Sequence, residues 1–149
     1  MIRAYTSQDK EKLVELLRLN TPAYFDPSEE KDFLYYLDHE LESYFVVEDE
    51  GTVVGCGGFN YAGNPKMVRI SWDIMHPDAQ GKGWGSALTR YRINKIQEDP
   101  EVEIISVRTT QLVYSFYQKF GFQTKEVVKD FWAKGFDLYR MELPMHPNT

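Results

Sequence analysis

The spacing of hydrophobic and polar positions changes period several times along the chain, and each change marks an element. Residues 2–5 form a short extended run, after which Thr6 and Asp9 make a capping-box pattern. Leu13, Leu16 and Leu17 then recur at helical spacing. Past a loop through Thr21-Pro22-Ala23-Tyr24-Phe25, a second helix is predicted, with Asp26 as N-cap, Pro27 at its first position and Glu29 in its first turn. Phe33, Leu34, Leu37 and Leu41 supply its apolar face. The period then drops to two. Residues 44–47 and 52–59 read as strands joined by Asp49-Glu50-Gly51, and Ala62-Gly63-Asn64-Pro65 is a further turn. In a third strand, 67–75, Val68, Ile70, Trp72 and Ile74 alternate with Arg69, Ser71 and Asp73. A glycine-rich loop enters a helix through Ala87, Leu88, Tyr91 and Ile96, which Asp99-Pro100 ends. Residues 102–107 form a strand, and 112–120 a short helix closed by Gly121. Residues 127–132 and 136–143 form two last strands around Lys134-Gly135. This order predicts an α/β fold with one mixed sheet and helices on both faces. No repeat or linker interrupts it, so 1–149 reads as a single domain with a loose tail over 144–149.

Composition narrows the function. The chain has 149 residues, 42% hydrophobic and 27% charged, which suits one globular domain. Its single cysteine, Cys56, excludes an internal disulfide, and it lies in an apolar strand with no evident base, which reads as core. No apolar run approaches the ~20 residues of a membrane span, and the N-terminus has no signal-peptide stretch, so a cytoplasmic protein is expected. Seventeen basic against 23 acidic residues give a net charge of −6. That balance disfavours nucleic acid and favours cationic partners. His39, His76 and His146 lack metal-ligand spacing, so no metal site is expected, and His76, before a proline, is expected to be exposed.

The candidate chemistry sits in His76-Pro77-Asp78-Ala79-Gln80-Gly81-Lys82-Gly83-Trp84-Gly85-Ser86. Three glycines in five positions let backbone N–H groups converge on an anion at the positive end of a helix, as a pyrophosphate requires. The string is not a P-loop, because Trp84 follows Gly83 where Lys-Ser/Thr would be needed. It is not a dinucleotide fingerprint either, because Ser86 and Leu88 stand where a third glycine would be needed.

Gln80-Gly81-Lys82-Gly83-Trp84-Gly85, after the apolar Ile74-Met75-His76-Pro77, resembles motif A of the GNAT superfamily of acyl-CoA-dependent N-acyltransferases. Tyr114-Ser115-Phe116-Tyr117-Gln118-Lys119-Phe120-Gly121-Phe122 resembles its motif B, and Ile2-Arg3-Ala4-Tyr5-Thr6 with Asp9 is similar to its usual opening. The resemblance covers residues 2–143. It implies a mostly antiparallel sheet of about seven strands, splayed at its centre, and acetyl-CoA as acyl donor. The pyrophosphate would rest on Gln80, Gly81, Lys82, Gly83, Trp84, Gly85 and Ser86, and pantetheine would pair along Ile74 and Met75. The Met75 N–H would polarise the thioester carbonyl, and Tyr117 would protonate the departing thiolate.

The sequence departs from the family pattern in two places. Thr110, beside Gln111, stands where many members place a pantetheine-binding asparagine. Members with a base on the third strand of the hairpin set carry Glu or His at the positions of Arg69 or Ser71. Asp73, placed by alternation on the side of Ser71 and Met75, is the first candidate base, Glu103 the second, and relay through water a third. The resemblance also implies an acceptor site lined by Tyr24, Phe25, Tyr35, Tyr36, Phe131 and Trp132, and it allows a homodimer. The resemblance implies a small-molecule or peptide amine as acceptor. Asp26, Glu29, Glu30, Asp32, Asp38, Glu40 and Glu42 give the second helix and its approach an acidic surface that would draw a cationic one. The rival reading is a non-catalytic acyl-CoA-binding or sensing module of the same fold.

Overall fold

The computed structural model describes residues 1–145. Residues 146–149, which include His146 and most of the expected tail, lie outside the described residues. The chain forms β1 (Ile2–Ala4), α1 (Lys10–Leu19), α2 (Glu29–His39), β2 (Ser43–Asp49), β3 (Thr52–Tyr61), β4 (Met67–Met75), α3 (Trp84–Gln97), β5 (Ile104–Thr109), α4 (Tyr114–Gln118), β6 (Gln123–Ala133) and β7 (Phe136–Pro144). The seven strands form one mixed, mostly antiparallel sheet in the order β1-β2-β3-β4-β5-β7-β6. Its parallel pair is β4 with β5, where Met67, Val68 and Arg69 face Ile104, Ile105 and Ser106. Among the described residues, no helix is long and apolar enough to cross a membrane.

Two compact units share these elements. The first combines Met1–Asn60 with Ser71–Lys95. Its core sets Leu13, Leu16 and Leu17 of α1 and Phe33, Tyr36 and Leu37 of α2 against Val46, Cys56 and Ile74 of the sheet. On the opposite face Phe45 meets Tyr91 of α3, so helices cover both sides of this part of the sheet. The capping box forms: the Thr6 N–H donates to Asp9 Oδ2, which Arg3 also holds, at 2.9 Å. It opens a 3-10 turn, Ser7–Asp9, before α1 begins. α2 also starts later than predicted. Asp26 still caps as expected, accepting the Ser28 N–H while Glu29 accepts its own, but the regular helix begins only at Glu29.

The second unit combines Tyr61–Ile70 with the chain from Ile96 onward. Ile105, Val107, Tyr117, Phe122, Leu138 and Met141 are its buried hydrophobic residues on β5, α4 and β7 and in the turn after α4. β5 begins at Ile104 because Val102 closes a turn onto the Asp99 carbonyl. Val113 and Tyr114 bond to the Thr110 carbonyl, which shortens the predicted helix to Tyr114–Gln118. β6 starts four residues earlier than predicted; it is an exposed edge strand, so the polar run Gln123 to Glu126 gives no hydrophobic signal. β7 runs through Pro144, and the Met145 N–H bonds to the Glu103 carbonyl, so the ladder extends into the start of the predicted tail.

Candidate active site

The site is built on the second half of β4. Alternation holds through Ile70 and then breaks, because Trp72 takes a left-handed backbone at φ 46. Two consecutive side chains therefore share a face. The Ser71 hydroxyl donates to Asn60 Oδ1, where Tyr36 of α2 also donates, and Trp72 packs on Phe33 and Phe25. Asp73 turns to α3 instead. This corrects the expectation that Asp73 and Ser71 point to one side; Asp73 shares its face with Met75, whose side chain lies beside Gly55.

Asp73 is held by Arg92 through two contacts, at 2.7 and 2.9 Å. Arg92 is wholly buried and also donates to the Gly58 carbonyl at 3.2 Å. Gly57 makes room for the pair, since a Cβ there would run into the Asp73 carboxylate. The pair joins a wholly buried cation to a carboxylate, and removing one partner of such a pair is costly. The carboxylate is thus better suited to fixing β4 on α3 than to accepting a proton. Glu103, the second candidate base, is exposed and lies 3.9 Å from Lys66.

At the end of β4 the His76 N–H bonds to the Val54 carbonyl, and His76 Nδ1 accepts the Asp78 N–H. His76 is half-buried, not exposed as expected, because it caps this turn. The glycine loop follows. Gly81 and Gly83 take φ 80 and 86, which only glycine adopts readily, and the space above each is open. The Gly83 carbonyl accepts the Ala87 N–H as the first helical bond of α3. The preceding amides belong to the turn that a helix leaves without internal partners. This exposed loop, with two left-handed glycines at the positive end of a helix, has the chemistry that a pyrophosphate requires. Bound acetyl-CoA supplies an activated acyl thioester.

Sequence reasoning missed Asn20. Its side chain is buried and donates to the Leu16 and Met75 carbonyls at 2.8 and 3.0 Å, while Gln80 Nε2 reaches its Oδ1 at 3.4 Å. Its own carbonyl accepts the N–H groups of Tyr24 and Phe25. One residue thus ties together the end of α1, the end of β4 and the start of the glycine loop. An asparagine just past a helix reads as an ordinary C-cap, so no signal marked it.

Within the second unit, Tyr117 is buried on α4 against Phe116 and Phe122. The Thr110 hydroxyl accepts the Leu112 N–H. Gln111 uses both ends of its amide on the β6–β7 turn, donating to the Gly135 carbonyl and accepting from the Asp137 N–H. That commitment leaves its amide with a structural task. Cys56 is buried beside the Tyr44 hydroxyl, and burial pushes its thiol up to about 12, so it is a core residue and not a nucleophile.

A family model described as an acetyltransferase (GNAT) domain matches residues 40–124, over half of the chain and including β4, the glycine loop and α4. The chain belongs to the GNAT acetyltransferase family. It is 28% identical over 131 residues to the amino-acid acetyltransferase of Pasteurella multocida, covering 85% of this chain but 28% of that protein. It is 26% identical over 162 residues to the N-alpha-acetyltransferase of Sulfolobus acidocaldarius, covering 97% and 92%. Among solved structures, an aminoglycoside 6'-N-acetyltransferase complexed with coenzyme A shares the fold, with a TM-score of 0.79 at 16% identity over 100% of this chain and 99% of that one.

For this GNAT chain, the acidic surface expected to draw a cationic acceptor is largely engaged at home. Glu30 pairs with Arg18 and Asp38 with Lys10 of α1. Asp26 caps Ser28, and Glu29 accepts the Asp26 N–H with its carboxyl raised by burial. Of the aromatic candidates, Phe25 stacks on Trp72, and Tyr36 is buried with its phenol pushed up to about 12 by that burial. Tyr35 is exposed beside His39, and Tyr24 is partly exposed. Phe131 and Trp132 meet edge to face near the end of β6. Among the described residues, no group of three His, Cys, Asp or Glu could hold a metal ion.

Proposed function

We propose that residues 1–149 act as one N-acetyltransferase domain that passes the acetyl group of acetyl-CoA directly to a primary amine. The observation that carries this reading is the loop Gln80 to Ser86. It enters α3 with Gly81 and Gly83 both left-handed, directly after the strand that would hold the thioester. In this reading the loop amides hold the pyrophosphate, and Ile74 and Met75 offer their backbone to pantetheine. The Met75 N–H polarises the thioester carbonyl as charge develops on its oxygen. Tyr117 returns a proton to sulfur, the part a positioned phenol plays as general acid.

Asp73 serves here as the counter-ion of Arg92, and water takes the proton from the acceptor. An α-amine near pKa 8 is partly neutral at pH 7, so it needs little help, whereas a lysine near 10.4 would need a base. The reading therefore favours an α-amine acceptor, such as an amino acid or a peptide N-terminus. Positions 69 and 71 are where members with a strand-borne base place it, so the acceptor amine is taken to lie against that part of β4. Thiol release from acetyl-CoA across an amine panel tests the reading, and release with no amine in the panel would overturn it in favour of plain hydrolysis.

A further inference from the structure

Within the first unit, the side-chain amide of Asn20 is buried more deeply than the end of a helix requires. Ending α1 needs little. The Thr21 hydroxyl donates to the Leu17 carbonyl at 2.8 Å, and the Asn20 N–H bonds back to Leu17 and Arg18. Asn20 does not use the left-handed backbone that asparagine tolerates at such positions, since its φ is −99. Its side chain turns inward instead, and only 3% of the residue is exposed. A buried amide is costly unless its polar groups are matched. Here Nδ2 uses both of its hydrogens, one on the Leu16 carbonyl at 2.8 Å and one on the Met75 carbonyl at 3.0 Å. The first bond serves α1. The second reaches β4, and nothing in helix termination calls for it.

The Met75 carbonyl belongs to the peptide that leads from β4 into the turn before the glycine loop. The other end of that peptide, the His76 N–H, bonds to the Val54 carbonyl of β3 at 2.7 Å. The peptide plane is therefore held from both ends, by a strand at one and by Asn20 at the other. In extended backbone a residue turns its N–H and its carbonyl to the same side, and the next residue turns its own to the opposite side. Because the His76 N–H faces β3, both backbone groups of Met75 face away from β3, on the side from which Asn20 approaches. A bare carbonyl there would repel the oxygen of a thioester drawn to the Met75 N–H, and the Asn20 amide offsets that negative end. Two further ties run from the same residue. Gln80 Nε2 reaches Asn20 Oδ1 at 3.4 Å, and the Asn20 carbonyl accepts the N–H groups of Tyr24 and Phe25 at 2.8 and 3.2 Å. Phe25 in turn stacks on Trp72 of β4.

We propose that Asn20 is a positioning residue for acetyl transfer: by holding the Met75 carbonyl it fixes the end of the strand on which the thioester is polarised. The inference rests on the acetyltransferase reading and adds to it a residue at the end of α1. Its part requires no contact with donor or acceptor and moves no proton, because it acts through the backbone of Met75. Rate is sensitive to such placement, since an error of about 1 Å in a reacting group costs on the order of 10²-fold.

The test follows the bound thioester itself. With acetyl-CoA carrying carbon-13 at the acetyl carbonyl, difference infrared spectra of wild type should show the thioester stretch lowered relative to free acetyl-CoA, because a hydrogen bond weakens the C=O bond. Asn20→Ala should lose most of that shift. Its kcat, on the α-amino acid or peptide that wild type turns over fastest, should fall by about 10–100-fold, with acetyl-CoA affinity by calorimetry little changed. Asn20→Ser, which keeps one shorter donor, should lie between, and far-ultraviolet circular dichroism checks the fold of both. A shift and a kcat in Asn20→Ala equal to wild type would overturn the proposal and leave Asn20 a helix cap in a working acetyltransferase. Loss of acetyl-CoA affinity with kcat unchanged would make Asn20 a support of the glycine loop through Gln80 and overturn it equally. Failure of both variants to fold would assign the residue to stability alone and overturn it too. No thiol release by wild type on any α-amino acid or peptide amine would instead overturn the underlying reading, and the inference with it.

Discussion

The Asp73→Asn substitution separates two roles for one carboxylate. Arg92 has no exposed side-chain surface, and Asp73 meets it through two short contacts from a side chain that is 28% exposed. Asparagine keeps the size and an acceptor oxygen but removes the charge, so buried Arg92 loses the carboxylate that holds it through two contacts. Removing one partner of a buried pair costs about 3–5 kcal/mol, and the partly open side of Asp73 places this case near the lower bound. A loss of about 3 kcal/mol corresponds to a fall in Tm of roughly 6–12 °C for a chain of this size. Chemical unfolding followed by tryptophan fluorescence and circular dichroism would read it. The paired substitution Asp73→Leu with Arg92→Met removes both charges and should recover at least half the loss, since apolar replacement of a buried pair is often neutral or better. If Asp73→Asn stays within about 0.5 kcal/mol of wild type, as expected for an ordinary surface site, the counter-ion role is wrong. Should it also lose turnover that high pH restores, Asp73 is the base.

Three other outcomes follow from the same geometry. Gly83→Val should weaken acetyl-CoA binding at least tenfold by calorimetry, because a β-branched residue resists φ 86; the open space there makes the effect one of backbone and not of collision. Equal affinity would remove Gly83 from the pyrophosphate site. Tyr117→Phe should lower kcat by ~10²–10⁴ with little change in acetyl-CoA affinity, and unchanged turnover in a chemistry-limited assay would make Tyr117 a packing residue. Asp9→Asn should cost about 2 kcal/mol at neutral pH, since it loses charge-assisted bonds from Arg3. The Arg3 guanidinium holds the Asp9 carboxyl below its ordinary 3.8, so its stabilisation is complete above that pH and disappears as pH falls through the depressed value. The gap between variant and wild type should therefore close in acid; a gap constant with pH would refute the assignment.

The parts legible in the sequence were those fixed by local rules. Strand β4 was bounded correctly by its alternation, and the Thr6–Asp9 pair marked the first turn. Gly81 and Gly83 announced a left-handed loop because few other residues accept that backbone. Features that depend on partners distant in sequence stayed hidden. The left-handed Trp72 inverted the assumed side of Ser71, and no rule of composition places a tryptophan there. Nothing local marks Arg92 as the partner of Asp73, nineteen residues away in the chain. Asn20 likewise acquires meaning only through its side-chain contact with the Met75 carbonyl.

The central claim is transfer of an acetyl group from acetyl-CoA to an amine on this chain. Its most direct test incubates the purified full-length protein with acetyl-CoA and a panel of amino acids, their amides, peptide N-termini and polyamines, following free thiol and identifying products by mass. The account predicts thiol release only when a suitable amine is present, matched one for one by an N-acetylated product, with α-amino acids among the best acceptors. Saturable acetyl-CoA binding with no thiol release on any amine would contradict it and leave a binding or sensing module built on the GNAT fold.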